Sequence, residues 1–246
     1  MIAPLIVLAL LCGAWELIVR AGVVNELLLP APSDVARTLW EDRSILGPDL
    51  AVTSYEVVLG LAAALVVGVA LAVAMHLVPA VEDALRPLVV GSQAVPIPVL
   101  APLVVLLLGF GLAPKILIVA LVCFFPIVVN VADGLRDTDP DARRVLASLH
   151  ASRWQRLRLL EAPSALPSGF TGLKIAAAVA VIGAVLAEWA GSTSGLGHLV
   201  VTANAQLESA RAFAATALLI FEAVVLYALF SALERRVVSW SPRTVS

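Results

Sequence analysis

Six stretches of this chain are apolar over roughly 20 residues each, the length a helix rising about 1.5 Å per residue needs to cross about 30 Å of hydrocarbon. They fall near Ile2 to Val19, Val57 to Val78, Leu88 to Gly109, Leu112 to Val131, Leu166 to Ala190 and Ala212 to Leu233. A helical bundle in water would carry polar stripes along such stretches, and these are mostly missing. Of the 246 residues, 61% are hydrophobic and 14% charged, against about 45–50% and about 25% in soluble chains, so lipid has to be the solvent. The sequence predicts an all-α integral membrane protein of about six transmembrane helices, with 1–246 forming a single transmembrane domain.

Other classes are disfavoured. A net charge of −2 gives no reason to expect nucleic acid as a partner. Cys12 and Cys123 each lie in an apolar stretch, which suggests neither a disulfide framework nor a metal site. The run from Met1 to Gly13 has the outline of a lipoprotein signal, but no Lys or Arg precedes it and Leu11 stands where processing requires a small side chain. It reads as the first membrane helix.

The prolines single out two stretches. Pro96, Pro98 and Pro102 fall in the third, and Pro126 in the fourth. Proline removes a backbone donor and frees carbonyls, which membrane depth tolerates only beside protein or a water-filled cavity. Helices so interrupted point to a transport pathway, while each proline taken alone also fits a packing kink. Gln93 and Asn130 lie on these proline-marked helices, where they would bind solute or join helices. Glu188, beside Trp189 near the end of the fifth stretch, is placed to line an outer mouth, pair with a basic residue or anchor at the interface. Glu56 and Glu222 are more deeply placed charges, functional candidates by default.

Arginine distribution sets the orientation. With both termini cytoplasmic, the inner loops and tail hold Arg86, Arg136, Arg143, Arg144, Arg153, Arg156, Arg158, Arg235, Arg236 and Arg243, leaving Arg20, Arg37, Arg43, Lys115 and Arg211 outside. The longest inner loop, about 134–166, carries helix punctuation. Asp139 suits an N-cap, Pro140 the first helical position and Asp141 the positive end of the dipole. Ser152 and Gln155 have the spacing of a capping box. Val145, Leu146 and Leu149 share one face of the short helix between, an amphipathic segment open to the cytoplasm. Such a helix lies on the bilayer, binds a partner or merely connects.

From Pro30 to Val201 the chain resembles the inner-membrane permease subunits of ATP-binding-cassette (ABC) importers, most of all the branch handling nitrate, sulfonates, taurine, and pyrimidine or riboflavin precursors. The likeness rests on Leu-Pro-Ala-Pro-Ser from Leu29, Ala-Pro-Leu from Ala101, Gly-Phe-Gly from Gly109, Phe-Phe-Pro-Ile-Val-Val-Asn from Phe124, Ala-Glu-Trp-Ala-Gly from Ala187 and Gly-Leu-Gly from Gly195, in that order and spacing. Family permeases carry Glu-Ala-Ala, three residues, a glycine and later Leu-Pro in their coupling loop. Aligned through Ala151 to Gln155, Pro163 and Pro167, this chain has Arg144, Val145 and Leu146 at Glu-Ala-Ala, His150 at the glycine and Ala162-Pro163 at Leu-Pro. The resemblance implies a type I importer permease fold, with Arg144, Val145, Leu146, Leu149, His150, Ala151, Trp154 and Pro163 meeting the ATPase and Gln93, Pro96, Pro98, Asn130 and Glu188 on the translocation pathway.

It further implies a bacterial inner-membrane location, a second permease copy as in a homodimer, cytoplasmic ATPase subunits, and an extracytoplasmic binding protein delivering a small polar solute. Cys123 to Asn130 and Val181 to Gly197 lean towards a pyrimidine- or flavin-type precursor. The chain lacks the Gly-x-x-x-x-Gly-Lys-Ser/Thr phosphate loop, so no cofactor is expected on it and ATP is expected on a partner. An ion- or proton-coupled transporter working alone would favour internal repeats and acid or His relays. An intramembrane enzyme would need a nucleophile dyad, paired aspartates or His-Glu-x-x-His; Gly191 to Gly195 has only the outline of a nucleophile elbow, with Thr193 at its centre.

Overall fold

The computed structural model describes residues 2–240, with side chains from residue 6. Among them the chain is helical throughout its ordered elements. Helix α1 spans Ile2–Arg20, α2 Pro32–Glu41, α3 Arg43–Leu77, α4 Pro79–Gly91, α5 Ile97–Leu108, α6 Leu112–Arg136, α7 Pro140–Ser148, α8 Arg153–Arg156, α9 Ala162–Gly191, α10 Leu196–Ala205 and α11 Ser209–Val237. Four helices in this set are long and apolar enough to cross a membrane: α3, α6, the continuous α8–α9 rod, and α11. The α4–α5 pair makes a fifth if it is one bent span. The four fall on four of the six expected stretches, and the bent pair overlaps a fifth. The remaining stretch, Ile2 to Val19, is helical as α1, and its first residues lie at the edge of the described side chains.

The core is a layer of α6 between α3 and α9, with α11 packed on α9 and α10. Small residues set its spacing. A Cβ on Gly60 of α3 would overlap Val119 of α6, and one on Gly172 of α9 would lie 2.8 Å from the Cβ of Asn130. Backbones this close gain dispersion contacts, which drive helix association where lipid removes any hydrophobic contrast. Val57, Val119, Ile127, Ala176, Ala180 and Ala184 fill the seam.

Two expected spans are redrawn. The second stretch begins much earlier than Val57, because α3 starts at Arg43 and runs through Pro48; at about 1.5 Å per residue its 35 residues exceed a bilayer's hydrocarbon. The third, expected to run from Leu88 to Gly109, is two helices meeting at 102° across a 3-10 turn at Ser92–Ala94. Val95 and Pro96 are extended there, as a residue before proline tends to be, and Pro96 and Pro98 start α5 rather than interrupt a helix. Pro102 and Pro126 stay within continuous helices.

Candidate translocation and coupling site

Polar side chains concentrate at the two ends of the core. At the end where α9 meets α10, Glu188 is 1% exposed. Its Oε1 accepts from Thr53 Oγ1 of α3 at 2.7 Å, and its Oε2 accepts from the backbone N–H groups of Gly197 and His198 at 2.5 and 3.1 Å. The carboxylate therefore takes up the free donors of the first turn of α10, where the helix dipole favours negative charge. Thr53 Oγ1 in turn accepts from Leu196 N, and Asp49 accepts from Gly195 N. Gly195 has φ +106 and faces the Glu188 carboxylate so closely that a Cβ would collide with it. Glycine is required there by both backbone and space.

One turn further along α3, Glu56 is 2% exposed and accepts from Lys115 Nζ of α6 at 2.5 Å. The same ammonium donates to Ser192 Oγ at 2.7 Å, and Ser192 Oγ donates to Ser194 O. Charges so deep are costly unless paired, and the pair joins α3, α6 and the α9–α10 connection.

At the opposite end, Glu161 is the joint. It closes a π-turn over Leu157–Glu161 that carries α8 into α9. Its Oε1 lies 3.1 Å from Arg143 Nε of α7, and its Oε2 is 2.8 Å from His76 Nε2 at the end of α3. Arg143 also donates to Leu135 O, and Arg153 to Leu77 O, each guanidinium meeting the negative end of a long helix. Arg143 thus ties α7 directly to α6 and to Glu161, and Glu161 in turn meets His76 at the end of α3. Asp139 accepts from Asp141 N, and Ser152 and Gln155 form both bonds of a capping box. Val145, Leu149 and Trp154 are exposed around α7, Leu149 at 71%, while Leu146 is half-buried.

No group of three or more His, Cys, Asp or Glu among the described residues is placed to hold a metal ion. Residues 58–239 match the family of binding-protein-dependent transport system inner membrane components. The chain belongs to that family, the ABC importer permeases. The permease is 34% identical to a probable ABC transporter permease of Haemophilus influenzae, over 92% of this chain and 93% of that one. It is 34% identical to a formylaminopyrimidine transport permease of Halalkalibacterium halodurans, over 96% and 95% of the two chains. With the taurine transport permease of Escherichia coli K12 it shares 32% identity, over 95% and 87%.

Within the permease the expected pathway residues do not form one cluster. Gln93, Pro96 and Pro98 are exposed at the α4–α5 bend. Asn130 donates from Nδ2 to Pro126 O on its own helix, beside Gly172. Glu188 takes no basic partner: its hydrogen-bond donors among the described residues are a hydroxyl and backbone amides. Of the coupling residues, Arg144 pairs with Asp141 at 2.8 Å on the surface, Ala151 and Pro163 are half-buried, and His150 has φ +56. The sequence gives no sign of the Lys115–Glu56 ion pair, although Glu56 reads as a deeply placed charge. It also missed α10 and the Glu161 joint. The only sequence hint of the latter is an acid two residues ahead of Pro163 in a basic loop.

Proposed function

We propose that this permease, with a second copy of itself, lines the pathway of an ATP-driven importer for a small polar solute, leaning to the pyrimidine- or flavin-precursor class. The observation that carries this reading is α7. It is a nine-residue helix, too short to be stable alone, held by Arg143 to Glu161, with Val145, Leu149 and Trp154 bare. A partner's groove accounts for the bare face. ATPase subunits would grip this helix, and Glu161 would carry its displacement into α3 and α9 as a rigid movement. The π-turn beneath it is the kind of irregularity found at functional hinges.

Under this reading the α7 end faces the cytoplasm with both termini, as the arginine distribution requires. The α10 end meets an extracytoplasmic binding protein. Gln93, exposed at the α4–α5 bend, stands on the pathway. The solute class follows the formylaminopyrimidine permease, which aligns with nearly the whole chain. ATP is bound and hydrolysed by the partner.

The test is uptake by the reconstituted complex of this permease, its ATPase and its binding protein. Formylaminopyrimidine should enter proteoliposomes only with ATP, and taurine in excess should compete poorly. Uptake driven by an ion gradient with no ATPase present would overturn the importer reading.

A further inference from the structure

At the α7 end, the last turn of α3 together with α7 and α8 surrounds a cavity of about 270 Å³ whose wall includes His76, Arg143, Arg153, Arg156 and Glu161. Three guanidinium charges there meet one carboxylate. Glu161 is already engaged, its two oxygens lying against Arg143 and His76. Arg143 and Arg153 spend one donor each on the carbonyls of Leu135 and Leu77, and a guanidinium carries five. Arg156 is half-buried and forms no ion pair among the described residues, its Nε sealed from water without a partner. A charge withdrawn from water and left without a counter-ion is costly, and an anion on the open side of the fork relieves that cost. A water's share of the liquid is about 30 Å³, so the space admits a tetrahedral oxyanion with some of its water.

We infer that this cavity is a binding site for a phosphate group, held by Arg156 with the remaining donors of Arg143 and Arg153. Planar guanidinium forks match phosphate oxygens in pairs, which a point charge such as lysine's cannot do. Arg143 and Arg153 are already held against helix C-termini, so little side-chain freedom is left to lose on binding. The phosphate is that of an anionic lipid headgroup or free inorganic phosphate, since both present the same oxygens. Bound there, it bridges α3, α7 and α8, the elements that meet around Glu161. The site is independent of what the pathway carries.

Two arms separate the sources, both on the purified complex in neutral detergent with ionic strength held constant by chloride. In the first, inorganic phosphate is titrated while thermal unfolding is followed, because a ligand of the folded state raises the melting temperature with its concentration. In the second, native mass spectrometry compares retention of added phosphatidylglycerol with that of phosphatidylcholine, whose headgroup has no net charge. The parent should respond in at least one arm, and the responding arm identifies the source. Arg156→Gln should raise the half-saturating phosphate concentration, or lower phosphatidylglycerol retention, about tenfold or more, the loss of a charge-assisted hydrogen bond. Arg158→Gln removes the same charge from an exposed position outside the cavity wall and should respond like the parent. With no ligand added, Arg156→Gln should melt no lower than the parent, because it removes an unpaired, half-buried charge. Silence in both arms, as when a carboxylate of the ATPase fills the cavity, would overturn the site. So would an equal loss in Arg158→Gln, or an Arg156→Gln complex that melts lower yet keeps the parent's response, the mark of a purely structural arginine.

Discussion

His150 shows how one residue adapts a shared motif. The resemblance aligns it with a glycine of family permeases, and its φ of +56 places it in the left-handed region that glycine occupies freely. The bonds around it close the end of α7 as a Schellman motif: His150 N donates to Ala147 O and Ala151 N to Leu146 O. Histidine is tolerated in this conformation better than branched residues, at a cost. His150→Gly should therefore raise the thermal stability of the α7 region by on the order of 1 kcal/mol, partly offset by the freer unfolded chain. The purified complex should melt no lower than the parent and retain its uptake. Loss of ATPase co-purification in this variant would instead show that the imidazole itself contacts the partner.

At the scale of elements, α7 and the α4–α5 bend carry the functional reading. Helix α7 keeps its place through Arg143 and Glu161, while its outer face holds apolar side chains in water. Burying Leu149 fully in a groove is worth about 1.5–3 kcal/mol. Leu149→Asp should thus reduce ATPase association by about tenfold or more and lower uptake in proportion, with membrane insertion intact. Arg158→Ala, removing an exposed charge, should have much less effect. Co-purification and uptake of the two variants side by side make the check. If Leu149→Asp assembles and transports like the parent, docking lies elsewhere on the loop.

The whole molecule has a polar layer at each end of an apolar core, and the two layers differ in character. Around α7, arginines meet helix C-termini and one buried carboxylate. Around α10, carboxylates meet backbone amides and a lysine. The arginine bias sets the expected orientation, with the α7 end cytoplasmic. Reporter fusions after Ser246 and within Arg153 to Arg158 should report cytoplasm, and a fusion near Gln206 the opposite side. An outside signal at Ser246 would overturn the six-helix expectation.

The sequence by itself determined the solvent, most of the spans and the local punctuation of the loop. Hydropathy is summed residue by residue, and a cap such as Asp139 or a capping box such as Ser152 with Gln155 closes within three residues, so neither depends on distant parts of the chain. The motif order likewise pointed to the permease family. Only the tertiary structure decided which polar groups meet. Glu188 is joined to Thr53 across 135 positions and Lys115 to Glu56 across 59, and no local pattern encodes such pairs. The 102° bend, the early start of α3 and the burial of α10 belong to the same class, because each is set by what packs alongside rather than by the propensity of the segment itself.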